Sequence, residues 1–311
     1  MEVFEPRMKH RLNAETQKTM GKTSIEWTDR SINPIRFGNG HFCQKISPGC
    51  AHCYSSRLQP RFGNPEFGGR GGKAPHVTDE PRGSGVWLDQ SKLHEILSLR
   101  KPNKIFWADM TDLFGEWVPD EFIDLCFATM ALAGEQTHQV LTKRPERMLA
   151  YFNRVDNELR IYQAMESLAD EHGIADFLFD IWPLPNVWLG VSCEDQQRAD
   201  ERIPYLLKTA AEVRFLSCEP LLGQIDLSRA CPCGEYCNGG LDWVITGCES
   251  GPKRRPYSLE WDADIQEQCR KAGIAFFRKQ ISINGMVSKE MEEWEPQWRV
   301  RQFPHGKAVL P

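Results

Sequence analysis

Asn186-Val-Trp-Leu-Gly-Val-Ser192 is a short apolar run of strand character, and together with the residues after it this run decides the fold. The run ends on Ser192, Glu194 and Asp195, and residues 195–207 then carry apolar side chains at helical spacing. Strand, polar turn and helix therefore fill about twenty residues. The same unit recurs outward in both directions. Strands are expected at 24–28, 104–110, 138–142, 213–218, 241–247 and 275–278, and helices at 119–133 and 259–272. Most of the runs are rich in Val, Ile, Phe and Trp, as in strands buried on both faces. Such alternation predicts an α/β protein with parallel strands, as an open sheet or a (β/α) barrel.

The polar residues sit at one end of these runs. Asp109, Thr111 and Asp112 follow one strand, Lys143 and Arg144 the next, then Ser192, Glu194 and Asp195, then Glu219, then Glu249 with Ser250. In parallel α/β folds the C-terminal strand ends carry the site, so five such endings in succession predict one polar cavity. The competing reading of Asp112 and Asp195 is helix capping.

Cys43-Gln-Lys-Ile-Ser-Pro-Gly-Cys50-Ala-His-Cys53-Tyr54 places three cysteines within eleven residues. Three thiolates are one short of a closed zinc or iron–sulfur site, and an open corner accepts a substrate or cofactor. A structural zinc completed by His41 or His52 is the alternative. Disulfides do not suit this chain: eleven cysteines is an odd number and the N-terminus has no hydrophobic signal core. A second group, Cys231, Cys233 and Cys237, lies in a loop almost devoid of apolar residues. Its readings are structural zinc completed by Cys218 or Cys248, a second iron–sulfur cluster, or free thiols. Cys126, Cys193 and Cys269 read as packing residues.

The 311 residues, 41% of them hydrophobic and 26% charged, fit an ordinary globular protein. No apolar run approaches the roughly 20 residues of a membrane helix, so no membrane partner and a cytoplasmic location are expected. A net charge of −5 argues against nucleic-acid binding over the whole surface. Local basic groups remain, at Lys143, Arg144 and Arg147 and at Lys253, Arg254 and Arg255. Residues 1–20 read as a flexible arm, and 59–86 and 229–240 as loop insertions.

Seven motifs together resemble a known family. They are Thr23-Ser-Ile-Glu-Trp-Thr-Asp29, Ser47-Pro-Gly-Cys-Ala-His-Cys-Tyr54, Asp109-Met-Thr-Asp-Leu-Phe114, Val140-Leu-Thr-Lys-Arg-Pro-Glu-Arg147, Asn186–Ser192 itself, Arg214-Phe-Leu-Ser-Cys-Glu-Pro-Leu221 and Trp243-Val-Ile-Thr-Gly-Cys-Glu-Ser-Gly-Pro252. The chain resembles the phage- and prophage-associated three-cysteine proteins related to radical S-adenosylmethionine (SAM) enzymes. The resemblance implies a partial (β/α)6 TIM-like barrel over 21–285, followed by a C-terminal extension at 286–311. It implies a 4Fe–4S cluster on Cys43, Cys50 and Cys53, with SAM on the fourth iron. Reductive cleavage would then give a 5′-deoxyadenosyl radical, with a flavodoxin or ferredoxin as electron donor. The phage association suggests a nucleotide or DNA base as substrate, and hypermodification or rearrangement as the reaction. Six residues separate the first two cysteines, where the usual spacing is three, and His52 replaces the usual aromatic residue.

On these expectations Asp109, Thr111 and Asp112 meet the methionine ammonium of SAM, and Ser192 and Glu194 its ribose or amino group. Glu249, Glu219 and Lys143 are the candidate catalytic residues. Arg144, Lys253, Arg254 and Arg255 are the candidate phosphate contacts. The competing function is a zinc-bearing nucleic-acid-binding phage protein without radical chemistry.

Overall fold

The computed structural model describes residues 21–69, 72–175, 182–230, 240–251 and 253–304. Its strands and helices, in chain order, are β1 Arg30–Ile32, β2 Ile35–Phe37, α1 Tyr54–Leu58, β3 Val86–Leu88, α2 Gln90–Leu97, β4 Lys104–Trp107, α3 Asp120–Leu132, β5 Thr137–Thr142, α4 Pro145–Phe152 and α5 Asn157–His172. There follow β6 Val187–Ser192, α6 Gln196–Lys208, β7 Val213–Cys218, β8 Trp243–Gly247, α7 Leu259–Ala272, β9 Ala275–Ile283 and β10 Met286–Ser288. The main sheet has the order β1-β4-β5-β6-β7-β8-β9-β10. Every neighbouring pair is parallel except β9–β10. β2 and β3 form a separate antiparallel pair. The expectation of six parallel strands is thus corrected to seven, with an antiparallel eighth, in a mixed α/β fold. The sheet does not close: β1 and β10 are its two edges.

Side chains alternate between the two faces, as a period of two dictates. Ile105, Trp107, Leu189, Leu216, Cys218, Val244 and Phe276 face outward, into one core with the helices. That core includes Ile123, Phe127 and Met130 of α3, Ile161 and Met165 of α5, and Ile265 and Cys269 of α7. Phe106, Trp188, Phe215, Trp243, Ile245 and Phe277 face the other way and gather around Trp27. Trp27 lies 4.6 Å from Phe106 on β4, 6.3 Å from Phe215 on β7 and 6.1 Å from Trp243 on β8. In a flat sheet β4 and β7 are about 14 Å apart, three strand spacings. One indole reaching both means that the sheet curls strongly around its inner face. Gly190 permits the curl: a Cβ there would lie 2.5 Å from the Phe215 ring.

The stretch 24–28, expected as a strand, is this plug. It crosses the concave face without joining the sheet, and the first strand is β1 instead. The segment beyond 285 is likewise part of the body. Trp294 is buried, Phe303 stacks 5.4 Å from Trp243, and Arg278 donates its backbone N–H to the Val300 carbonyl. Of the expected insertions, 59–86 holds a 3-10 turn, Gln59–Phe62, and the start of β3. Residues 231–239, with Cys231, Cys233 and Cys237, and residues 1–20 lie outside the described residues. Among the described residues no helix is long and apolar enough to cross a membrane.

Candidate functional site

Along the inner faces of β6 to β9 the character changes from apolar to polar in the C-terminal direction. Trp188 gives way to Gly190 and then Ser192, Phe215 to Ser217, Ile245 to Gly247 and Glu249, and Phe277 to Lys279. The aromatic layer fills the base of the curl. Above it a cavity of about 560 Å³ remains, within the range of small-molecule sites. Its wall includes Cys43, Cys50 and Cys53 together with Ser192, Ser217, Glu219, Cys248 and Lys279. Asp109, Thr111, Asp112, Lys143, Arg144 and Glu249 line it as well. The sequence expectation that five strand endings serve one cavity agrees with this placement.

The cysteine loop is built from tight turns. Cys50 ends the 3-10 turn Pro48–Cys50, and its N–H bonds the Ser47 carbonyl at 3.0 Å. Cys53 caps α1, and its carbonyl accepts from Arg57 N–H. Cys43 packs against the outer core, and the rest of the loop is held by polar contacts.

Most strand-end polar residues supply that hold. Glu194 accepts the Gly49 N–H at 2.9 Å and pairs with Arg202 at 3.0 Å. A Cβ on Gly49 would sit 3.0 Å from the Glu194 carboxylate, so a larger residue there would push the carboxylate back by a few tenths of an ångström. Glu249 bonds His52 Nδ1 at 2.9 Å and pairs with Arg255, which donates to the Pro48 carbonyl at 2.8 Å. Tyr54 donates to the Asp109 carboxylate at 2.8 Å, Ser55 to the Met110 carbonyl at 2.6 Å, and Thr111 to the Phe42 carbonyl. Arg144, stacked on Trp117, donates to the Gln44 carbonyl at 3.3 Å and pairs with Asp112 at 3.1 Å. Asp112 also accepts from the Thr142 hydroxyl and the Lys143 N–H, so both its oxygens are engaged.

The charges distinguish Cys43 from Cys50. Burial, with Asp112 nearby, pushes the Cys43 thiol up to about 12. Burial acts the same way on Cys50, but Lys143 and the backbone N–H groups of Ile46 and Ser47 outweigh it and lower that thiol. Burial opposes ionisation of Glu249, but hydrogen bonds from Arg255 and His52 hold its carboxyl down at about 2. Glu194 is lowered too: Lys143 and Arg202 prevail over burial.

Several expected roles change on this geometry. Glu249 is clamped as a carboxylate between His52 and Arg255, so it is not poised as a proton donor or base. Glu194 is fully buried beneath the cysteine loop and is not in the cavity wall. Arg255 and Arg144 are committed to carboxylates rather than open to a phosphate. Arg254 donates to the carbonyls of Gly251 and Gly285, and neither it nor Lys253 is in the cavity wall. Asp195 is the cap of α6, accepting from Arg198 N–H. Cys218 faces the outer core, whereas Cys248 lines the cavity. Lys143 reaches Ser192 Oγ at 3.0 Å and makes no ion pair among the described residues. Glu219 pairs with Lys279. Lys279 is not among the residues expected from the sequence, although two-residue periodicity from Phe277 points it inward. Ser217 and Lys289, also in the wall, are further additions.

A curled, mostly parallel sheet with a cysteine-rimmed cavity at its strand ends defines the class of this protein. The chain belongs to the family described as "Protein of unknown function (DUF5131)", whose model matches residues 22–303. No curated protein and no solved structure matches it.

Proposed function

We propose that this protein is a radical SAM enzyme, with a 4Fe–4S cluster on Cys43, Cys50 and Cys53 and SAM in the cavity beside it. The observation that carries the reading is the placement of three thiols from one clamped loop in the wall of a cavity large enough for a cofactor and part of a substrate. Among the described residues, the one trio of metal-capable groups drawn within 4.8 Å is His94, Glu171 and His172. The three cysteine sulfurs do not all come that close to one another, whereas sulfurs sharing one tetrahedral zinc are about 3.8 Å apart. A four-iron cube, with one thiolate at each of three corners, holds its thiolates further apart than a single zinc does.

When bound, the cluster and SAM supply one-electron cleavage of the sulfonium. The chain's own residues provide the rest. Lys143, with no ion pair among the described residues, suits the SAM carboxylate. Asp109, beyond its bond to Tyr54, is the carboxylate that meets the loop directly at α1 and suits the ammonium. Glu219 and Lys279, on the wall away from the loop, are left for the substrate. A nucleotide or a DNA base flipped out of its stack is the proposed substrate class, and a flavodoxin or ferredoxin the proposed electron donor.

Anaerobic reconstitution tests the reading. About four irons per chain, absorbance near roughly 400 nm and deoxyadenosine formed from SAM are expected. A colourless protein holding zinc at these cysteines would sink it and favour the zinc-bearing nucleic-acid-binding alternative.

A further inference from the structure

A second group of metal-capable side chains lies in the outer helical layer. His94 is in the last turn of α2, and Glu171 and His172 are in the last turn of α5. Both helices pack on α3. One ligand atom from each of the three residues lies within 4.8 Å of the other two. None of the three lines the cysteine cavity.

Two details set this group apart from ordinary helix-end histidines. Nε2 of His94 and Nε2 of His172 are both shut off from solvent, and neither makes a hydrogen bond. A buried polar nitrogen without a partner costs about 1–3 kcal/mol, so two side by side call for an explanation. The imidazoles meet edge to face, 4.4 Å between centroids. Glu171 Oε1 stands 3.5 Å from His94 Nε2, with no hydrogen bond between them. That separation is long for a hydrogen bond. It matches the edge of a tetrahedron around zinc, about 3.3 Å for metal–ligand bonds of about 2.0–2.1 Å.

We propose that His94, Glu171 and His172 form a divalent transition-metal site, with zinc as its occupant, that straps α2 to α5 across α3. Two imidazoles and a carboxylate are a borderline-soft donor set that prefers zinc to magnesium or calcium. Glu171 is half exposed, so the fourth position opens toward solvent and takes a water. The site is independent of the cysteine cavity and of any reaction there.

The full-length chain is titrated with Zn²⁺ while its melting temperature is followed, and with Co²⁺ while its visible spectrum is recorded. Zinc should raise the melting temperature. Cobalt should give the weak visible bands of nitrogen and oxygen ligation, over and above any thiolate absorption from the cysteines. His172→Gln should abolish both effects. Glu171→Gln alters an exposed side chain and keeps the fold; it should weaken zinc binding at least about tenfold, because even groups that only support a ligand cost 10–100-fold when lost. Replacing Cys43, Cys50 and Cys53 by Ser should leave the zinc effect in place. Wild-type affinity in Glu171→Gln, no zinc effect in the wild type, or thiolate absorption alone would each overturn the site.

Discussion

The two walls of the cavity use similar residues for different ends. On the wall formed by the ends of β4, β5, β6 and β8, charged groups are consumed in holding the cysteine loop: Asp109, Arg144, Glu194, Glu249 and Arg255 all reach it directly or through one neighbour. On the wall formed by β7 and β9, Glu219 and Lys279 pair with each other and, among the described residues, make no hydrogen bond or ion pair to that loop. A charge at a strand end is therefore not in itself a sign of ligand binding. What it touches decides: on the first wall Lys143 makes no ion pair among the described residues, and the second leaves Glu219 and Lys279, paired only with each other, to a substrate.

The sharpest way to break this comparison is at the thiols. Cys43→Ala, Cys50→Ala or Cys53→Ala should each remove the iron absorbance and all SAM cleavage, since each deletes one of three ligands. A full cluster in any of them would move the site elsewhere. Next come the clamps. Glu194→Gln leaves Arg202 buried without its carboxylate and should cost about 3 kcal/mol in denaturant unfolding. The same variant should lose iron, because Gly49 loses its anchor. Unchanged iron content would show that the loop does not depend on this wall.

Glu219→Gln should behave oppositely, with wild-type iron content and wild-type deoxyadenosine formation in the absence of substrate. Iron loss in this variant would erase the distinction between the walls. The smallest effect concerns acid. The folded Glu249 carboxyl titrates at about 2, below the ordinary 4.5. Between those values the unfolded chain binds more protons than the folded one, so stability rises with pH across this window and is lost as pH falls through it. Glu249→Gln should flatten that limb of an acid-unfolding curve. An identical slope in the variant would show that the clamp contributes nothing.

Much of the framework is legible in the sequence because burial on both faces leaves a strong local signal. Residues 213–218 and 259–272 form β7 and α7 as expected. The departures have physical causes. Ile25 and Trp27 mimic strand alternation, but they are apolar because they seal the concave face. α5 escapes the sequence pattern because Leu159 and Tyr162, exposed on its outer side, blur the period set by Ile161, Met165 and Leu168. β10 has three residues and exists only by pairing with β9. At the site, position is legible and partnership is not. Gly49 and Glu194 are 145 residues apart, His52 and Glu249 197, and Pro48 and Arg255 207. No local pattern encodes such pairings.

The floor beneath the cavity has a consequence for how the protein is made. Phe303 lies under Trp243 and Phe277 and receives the Lys104 ammonium on its ring, while Lys289, in the cavity wall, pairs with Glu26 at 2.7 Å. These contacts tie the segment synthesised after the last parallel strand to the plug synthesised before the first. On the ribosome, the three cysteines emerge about 250 residues before Phe303 does. Until then the cavity beside them has neither a finished floor nor a finished rim, so the site takes shape only after the segment carrying Phe303 has been made.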